Sequence, residues 1–297
     1  MNRRRGSLLV MTLWIVTILG ALSVAVARYL STEVRLTRYR LVRHEARELA
    51  RSGVSLAQRL IQEDTDDPQV DWSEETWAQP LTVSPASGRQ LTVVITDEER
   101  KLNVNAASAE QLEPLLGSRQ LAEAIVDYAD TGTDGPAESP VDTPPYYPKN
   151  ASVVALEELR DLPDMTDEIF TALQQWTFAA GAPTTLTVNI NTATRDVLQA
   201  AGLPTLADAI VAFREQGHYF ASLTPDVVTE NAAVPPPFDP ANTEFQNARS
   251  RLVVASQFFL VRATGSTTLP SVQHHVEAVI QRSTDSSPPR IIAWREL

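Results

Sequence analysis

Arg3-Arg4-Arg5-Gly6-Ser7-Leu8-Leu9-Val10-Met11-Thr12-Leu13-Trp14 opens a stretch that carries no charge from Ser7 to Ala27. Three arginines and a glycine stand directly against 21 uncharged residues, with no polar spacer. As a helix that stretch is about 31 Å long, close to the hydrocarbon thickness of a bilayer. Leu8, Leu9, Val10, Met11, Leu13, Trp14, Ile15, Val16, Ile18 and Leu19 make it apolar all round, as lipid exposure requires. A secretory leader puts its small-residue cleavage site after the apolar stretch. Here Gly6 comes before it, so a cut at Gly6 leaves the apolar helix on the mature chain. The competing reading is a cut after Ala27, because Ala25-Val26-Ala27 has the A-x-A form. Against it, the uncharged run is longer than an h-region of about 7–15 residues. Leu30, Val34, Leu41, Leu49, Gly53, Leu56 and Leu60 also keep a helical spacing, and the first proline is Pro68. The pattern predicts one rod from Leu8 to Ile61, lipid-facing in its first half and amphipathic in its second.

Charge is distributed unevenly along the 297 residues. Residues 1–51 carry a net charge of +7 and the remainder −19, for −12 overall. A folded part this acidic matches nucleic acid poorly, since that binding rests on phosphate neutralisation. Arg3, Arg4 and Arg5 favour a cytoplasmic N-terminus. Arg28, Arg35, Arg38, Arg40, Arg43, Arg47 and Arg51 lie beyond the span, so the positive-inside rule alone does not decide orientation. Glu45, Glu48, Arg47 and Arg51 can pair along one face of the rod. With no cysteine, the chain has no disulfide, thiol nucleophile or zinc–thiolate site.

Beyond an acidic breaker at residues 63–68, Arg89–Thr96 reads as a strand rich in β-branched residues, and Asp97–Lys101 as a turn. An internal repeat follows. Asn103-Val104-Asn105-Ala106-Ala107-Ser108 returns as Asn189-Ile190-Asn191-Thr192-Ala193-Thr194, and Leu121–Tyr128 returns as Leu206–Phe213. Each copy reads helix, glycine turn (Gly117; Gly202), helix, with Ser108 and Thr194 as candidate N-caps. The Asn-x-Asn heads offer side-chain amides to backbone groups in a turn. Two such units can pack together and bury Leu112, Ile125, Leu198 and Ile210. Ser152 and Thr166 are candidate caps for two further helices, and residues 224–250 read as mostly irregular. The sheet signal resumes in two runs around a turn near Gly265 and Pro270, and Arg290–Arg295 reads as a last strand.

The expected fold class is therefore α+β. It comprises a long N-terminal transmembrane and amphipathic helix, an α/β domain with an antiparallel sheet, and an inserted α-helical domain with two helix-hairpin-helix-like repeats. The expected divisions are 1–6, a short leader; 7–27, the membrane span; 28–63, its continuation; 64–104, the first part of the α/β domain; 105–250, the insert; and 251–297, the closing strands.

Taken in order, several landmarks resemble the K-type minor pseudopilins of type II secretion systems. They are Arg5-Gly6 before the apolar helix, Asn103-Val104-Asn105, the Tyr147-Pro148-Lys149-Asn150 to Leu156–Arg160 block, Asn189–Ala193, and the ending Trp294-Arg295-Glu296. The resemblance implies a pilin-like head and no enzymatic activity. It implies cleavage between Gly6 and Ser7 by a prepilin peptidase, and N-methylation of Ser7. Mature position five, where most pilins and pseudopilins carry Glu, is Met11; its lack of a carboxylate resembles the K-type exception. A carboxylate in hydrocarbon is costly unless paired, and a subunit at the tip has no later neighbour to serve. The resemblance further implies a single-pass protein of the bacterial inner membrane with its N-terminus cytoplasmic and its bulk periplasmic. It would cap a pseudopilus together with I-, J- and H-type minor pseudopilins, on an inner-membrane assembly platform, for protein export across the outer membrane.

Calcium is the one inorganic candidate. Asp127, Asp130, Asp134, Glu138 and Asp142 supply hard oxygen ligands in and beside a Gly/Pro-rich loop, although without EF-hand spacing. The bland alternative is a solvated acidic loop. His44, His218, His274 and His275 lack any sequence-evident nucleophile partner. The alternative function is a membrane-anchored helix-hairpin-helix protein that binds DNA. The hairpins here read Leu116-Gly117-Ser118 and Gly202-Leu203-Pro204, in acidic surroundings, and Pro204 has no amide hydrogen to offer a phosphate.

Overall fold

The computed structural model describes residues 3–64, 69–130, 132, 148–181, 185–223, 226–283 and 287–297, with side chains from Leu9 onward. The first helix, α1 (Arg3–Gln62), is 60 residues long. In chain order there follow β1 (Leu81–Ala86), β2 (Arg89–Asp97) and β3 (Leu102–Asn103); α2 (Ala109–Leu116), α3 (Arg119–Ala129) and α4 (Asp167–Trp176); β4 (Thr177–Phe178) and β5 (Val188–Asn189); α5 (Arg195–Ala200) and α6 (Ala207–Glu215); β6 (Phe220–Ser222) and β7 (Val228–Thr229); α7 (Thr243–Ala248); and β8 (Leu252–Val253), β9 (Phe258–Thr268), β10 (Ser271–Gln281) and β11 (Arg290–Glu296).

One five-stranded sheet, ordered β1-β2-β9-β10-β11 and antiparallel throughout, receives the lower half of α1. Side chains alternate across such strands, and the alternation is visible in β2, where Leu91, Val93 and Ile95 are buried. They meet Val261 and Ala263 of β9 and Val276, Ala278 and Ile280 of β10 in one core. The helix contributes Ala46, Ala50, Gly53, Val54, Ala57 and Ile61, all buried and spaced by three or four. Most of these side chains are small, so the helix lies very close to the sheet. A methyl group on Gly265 would sit 2.1 Å from the Ala46 carbonyl oxygen, and one on Gly53 would sit 2.7 Å from Ala263 Cβ. Gly265 therefore lies inside β9, opposite His274, and not in the expected turn; the hairpin turns instead at Leu269-Pro270. It is a glycine because a helix backbone passes over it.

Between β2 and β9 the chain builds a second core around Leu112, Leu121, Ile125, Phe170, Leu173, Leu198, Ile210, Phe220 and Phe245. Both repeat copies form helix–glycine–helix units, with Gly117 at φ 71° and Gly202 at φ 107°, where a side chain would be strained. Leu112, Ile125, Leu198 and Ile210 are each 0% exposed, and α2 of the first unit packs against α5 of the second.

The Asn-x-Asn heads explain how the copies are set. In each copy the first Asn accepts a bond from the backbone N–H of the second, Asn105 to Asn103 at 3.1 Å and Asn191 to Asn189 at 2.9 Å. The second Asn then mimics a strand edge. Asn105 accepts from Val153 N and donates to Val153 O; Asn191 accepts from Phe220 N and donates to Phe220 O. Each head also ends a two-residue parallel pairing, β3 with β4 and β5 with β8.

Two further expectations change. Ser152 caps no helix: the segment after it is a short 3₁₀ turn, Leu156–Asp161, preceded by Ala155. Asn105 holds Val153 in place, and Glu158 supplies the acceptor for the N–H groups of Val154 and Ala155. Residues 224–250 are less irregular than read, since β7 and α7 fall within them and Asn242 caps α7 through Glu244 N at 2.8 Å. Thr166 does cap α4, accepting from Ile169 N.

The close contact of α1 with the sheet yields a direct test. Gly265→Ala should destabilise the head by at least about 2–3 kcal/mol, since backbone is what the added carbon meets. Gly20→Ala should leave head stability unchanged, because nothing lies within 4 Å of its Cβ position. Denaturant unfolding of the detergent-solubilised chain measures both; equal midpoints for Gly265→Ala and the parent chain would contradict the packing.

Candidate functional site

The first feature with functional content is the upper half of α1. Gly6 and Ser7 lie in helical backbone that begins at Arg3. Met11 is 62% exposed, and Leu9, Leu13, Trp14, Val16, Ile18, Leu22 and Val24 are all more than half exposed. The helix is long and apolar enough to cross a membrane, and none of its apolar window is buried within the chain. Its hydroxyls do not need water: Thr12, Thr17 and Ser23 donate to the carbonyls of Leu9, Leu13 and Leu19. An exposed apolar surface of this extent marks a membrane or protein contact.

The second feature is the clamp that fixes the shaft to its head. Glu296, near the end of β11, accepts from Arg47 Nε at 2.8 Å and from Arg51 at 3.0 and 2.9 Å. Arg89 of β2 reaches Glu45 at 2.9 Å from the other side. Of the pairs expected along the rod only Glu48–Arg51 forms, at 3.3 Å; the remaining charges are used to hold the sheet. The hydrogen bond from Arg51 is the chief reason that the Glu296 carboxyl is held down to about 2; burial opposes it and Arg47 adds to it. The neighbouring Arg295 pairs with Glu157 of the 3₁₀ turn at 3.0 Å. Lys149 joins Ser152 O and Glu158, so the Tyr147–Arg160 block is cross-linked within itself and to the chain's end; Tyr147 lies outside the described residues.

The third feature is a buried acidic junction where α1, the sheet and the inserted helices meet. Asp71, Glu75, Asp97, Glu98 and Glu99 are 0%, 2%, 3%, 5% and 2% exposed. Arg282 forks onto Asp71 at 2.7 and 2.8 Å and reaches Asp64 at 3.2 Å, with its plane over Phe259. Asn189 of the second repeat donates to Asp71 O, Asp97 Oδ2 and Ser256 Oγ within 3.0 Å. Thr192 donates to Asp97, and Thr187 and Gln257 N donate to Glu99. Glu75 accepts from Trp72 N and Trp77 Nε1 through Oε2. Burial, then the charge of Asp64, pushes its carboxyl up to about 8. Burial likewise raises Glu99 to about 7; its bond from Thr187 opposes the shift and the charge of Asp97 adds to it.

Sequence reasoning missed this junction. It read Asp97–Lys101 as a turn, which holds from Glu98 while Asp97 ends β2, without seeing that the acids turn inward. The available signal was Trp72 and Trp77 flanking Glu75, since two aromatic residues around an acid predict a shielded carboxylate.

Of the expected calcium ligands, the structure brings Asp127 and Asp130 to the end of α3. Asp127 is 3% exposed. Asp130 ends the helix, its side chain accepting from Gly132 N at 2.9 Å. Asp134, Glu138 and Asp142 lie outside the described residues. At the helix–glycine–helix units, Arg119 and Arg195 are taken up by carboxylates, and Arg214 donates to the carbonyls of Ile190 and Ala193. Arg119, beside Gly117, contacts Glu110, Glu113 and Glu123 at 3.5, 3.4 and 2.7 Å. Arg195 forks onto Asp208. His218 pairs with Glu230 and stacks on Phe213, and His275 pairs with Thr264. Nothing at these turns favours DNA.

No family model matches the chain, and no curated protein matches it in sequence. Its fold recurs in a solved structure described as the crystal structure of the GspK-GspI-GspJ complex from the enterotoxigenic Escherichia coli Type 2 Secretion System. The similarity has a TM-score of 0.65 and covers 88% of this chain and 98% of that chain, at 18% sequence identity. The likeness is one of fold.

The clamp gives an acid-dependent prediction. Glu296 stays charged in the folded chain down to about pH 2, against an ordinary value of 4.5. Its folded value is depressed, so its contribution is complete above pH 4.5 and falls away as pH drops towards 2. Hydrogen exchange of β11 amides should accelerate over that window in the parent chain. In Glu296→Gln the amides should exchange faster already at neutral pH, without that acid step. Identical profiles in the two chains would show that the clamp does not hold β11.

Proposed function

We propose that this chain is a minor pseudopilin of the K type, anchored in the bacterial inner membrane and seated at the tip of a type II secretion pseudopilus. The observation that carries the reading is the continuity of α1: one helix has an upper half open to lipid and a lower half locked to a pilin-like sheet. The shared fold supports it, because the similar chain comes from an assembly whose description contains K-, I- and J-type components. The Arg5-Gly6-Ser7 start, Met11 and the ordered landmarks through Glu296 support it from sequence.

In mechanical terms, the apolar span of α1 packs against neighbouring subunit helices, with Gly20, Ala21, Ser23 and Ala25 allowing close approach. The inserted helical part widens the head and leaves no room for another subunit above it. A prepilin peptidase removes residues 1–6 and methylates Ser7. The partners are I- and J-type minor pseudopilins, then the H type, on the inner-membrane platform. Because Met11 carries no charge, this subunit needs no neighbouring amine to neutralise it within the bilayer. Orientation follows from cleavage: the peptidase works on the cytoplasmic side, so the head is periplasmic.

Deletion of the gene in the native bacterium should strand exported proteins in the periplasm, and the parent chain should restore their release. Gly6→Leu should fail to restore it and should accumulate as the unprocessed form. Co-purification from detergent should recover the I- and J-type subunits with the parent chain. Normal secretion in the deletion strain, with no such subunits recovered, would overturn the reading.

A further inference from the structure

A second group of candidate ligands lies at the lower end of α1, apart from the 127–142 loop. Carboxylate oxygens of Asp64, Asp71 and Glu75 lie within 4.8 Å of one another. Ligands at about 2.4 Å from one calcium ion are at most about 4.8 Å apart, so the spacing matches a shared ion. The site is sheltered: Asp71 and Glu75 are 0% and 2% exposed, and the Asp64 side chain is 3% exposed.

Glu75 supplies a separate indication. Its Oε2 is fixed by Trp72 N and Trp77 Nε1, while its Oε1 is buried without a hydrogen-bond partner. A buried carboxylate oxygen left without a partner is costly. Charge balance points the same way. Among the described residues Arg282 reaches the group, through Asp71 and Asp64, while the charge of Asp97 presses on Asp71. Among the described ion pairs that guanidinium serves Asp71 and Asp64 and does not reach Glu75.

We propose that Asp64, Asp71 and Glu75 form a binding site for a divalent cation of the calcium class. All three donors are carboxylate oxygens, the hard set that suits calcium rather than zinc or copper. Arg282 holds Asp71 Oδ2 and Oδ1 at 2.7 and 2.8 Å and orients them, and Ser256 N donates to Oδ2, so the ion would share these oxygens through their second lone pairs. The ion would join the end of the shaft, at Asp64, to the segment whose Asp71 carbonyl is gripped by Asn189 of the inserted part. Shaft, sheet and insert would then be stapled at one point. The site stands on these residues alone and does not depend on the secretion reading.

Terbium, a luminescent calcium mimic, tests the site, because Trp77 lies against Glu75 and can sensitise it. Full-length chain in detergent, excited at tryptophan wavelengths, should give terbium emission that calcium displaces. Glu75→Gln and Asp64→Asn should each weaken calcium competition by at least about tenfold, while Asp130→Asn leaves it unchanged. Absence of emission, or emission that survives both Glu75→Gln and Asp64→Asn, overturns the site; a proton on Glu75 then neutralises the cluster. Far-UV circular dichroism checks folding, and should Glu75→Gln fail to fold, Asp64→Asn decides the outcome.

Discussion

The molecule depends on one close contact, where α1 lies almost backbone to backbone on the sheet. Ala46, Ala50, Gly53 and Ala57 form the helix side of it, and Ala263 and Gly265 form the sheet side. Side chains of ordinary size on either surface would hold the helix away from the sheet. The contact matters because the upper half of α1 has no support of its own from the chain. A span that is wholly open to its surroundings can be carried by a head only if the lower half cannot slide or roll. Small residues give the contact its depth, and the Arg47–Arg51–Glu296 clamp with Arg89–Glu45 fixes its register. The packing contributes through buried area and dispersion. The ion pairs, half open to water, specify position more than they stabilise.

The inserted part is joined to this base by paired polar devices. Each Asn-x-Asn head ends a two-residue parallel bridge and then uses an amide as though it were a strand edge. The second copy goes further, because Asn189 reaches into the acidic junction below. The repeat is thus more than a duplicated helix pair. One copy braces the 153 segment within the insert, and the other ties the insert to the sheet and the end of the shaft. The excursion between β2 and β9 has a core of its own, and it holds its place because buried hydrogen bonds anchor it.

Much of this was legible from the residues. The 60-residue helix was announced by uninterrupted helical spacing and the absence of proline before Pro68. The strands β2 and β11, the two helix–glycine–helix units and the Thr166 cap also followed from local rules. What local rules could not give was direction in space. Gly265 looked like a turn because glycine usually marks one, yet it is required by a helix 215 residues earlier in the chain, at Ala50. Ser152 looked like a cap, but Asn105 takes hold of its neighbour Val153 from a distant loop. The acids at 97–99 looked like turn residues because acids favour turns. Their burial depends on Asn189, Thr192 and Ser256 at Asp97 and on Thr187 and Gln257 N at Glu99, which arrive from two other segments.

The account stands or falls on whether the shaft remains part of the working protein. A head built to grip the lower half of a helix has no use for that grip if the upper half is discarded. Intact-mass and N-terminal sequencing mass spectrometry of the protein extracted from bacterial membranes measures this directly. The account predicts a polypeptide that begins at a methylated Ser7 and partitions with the membrane fraction. A soluble polypeptide beginning at Arg28 would contradict it.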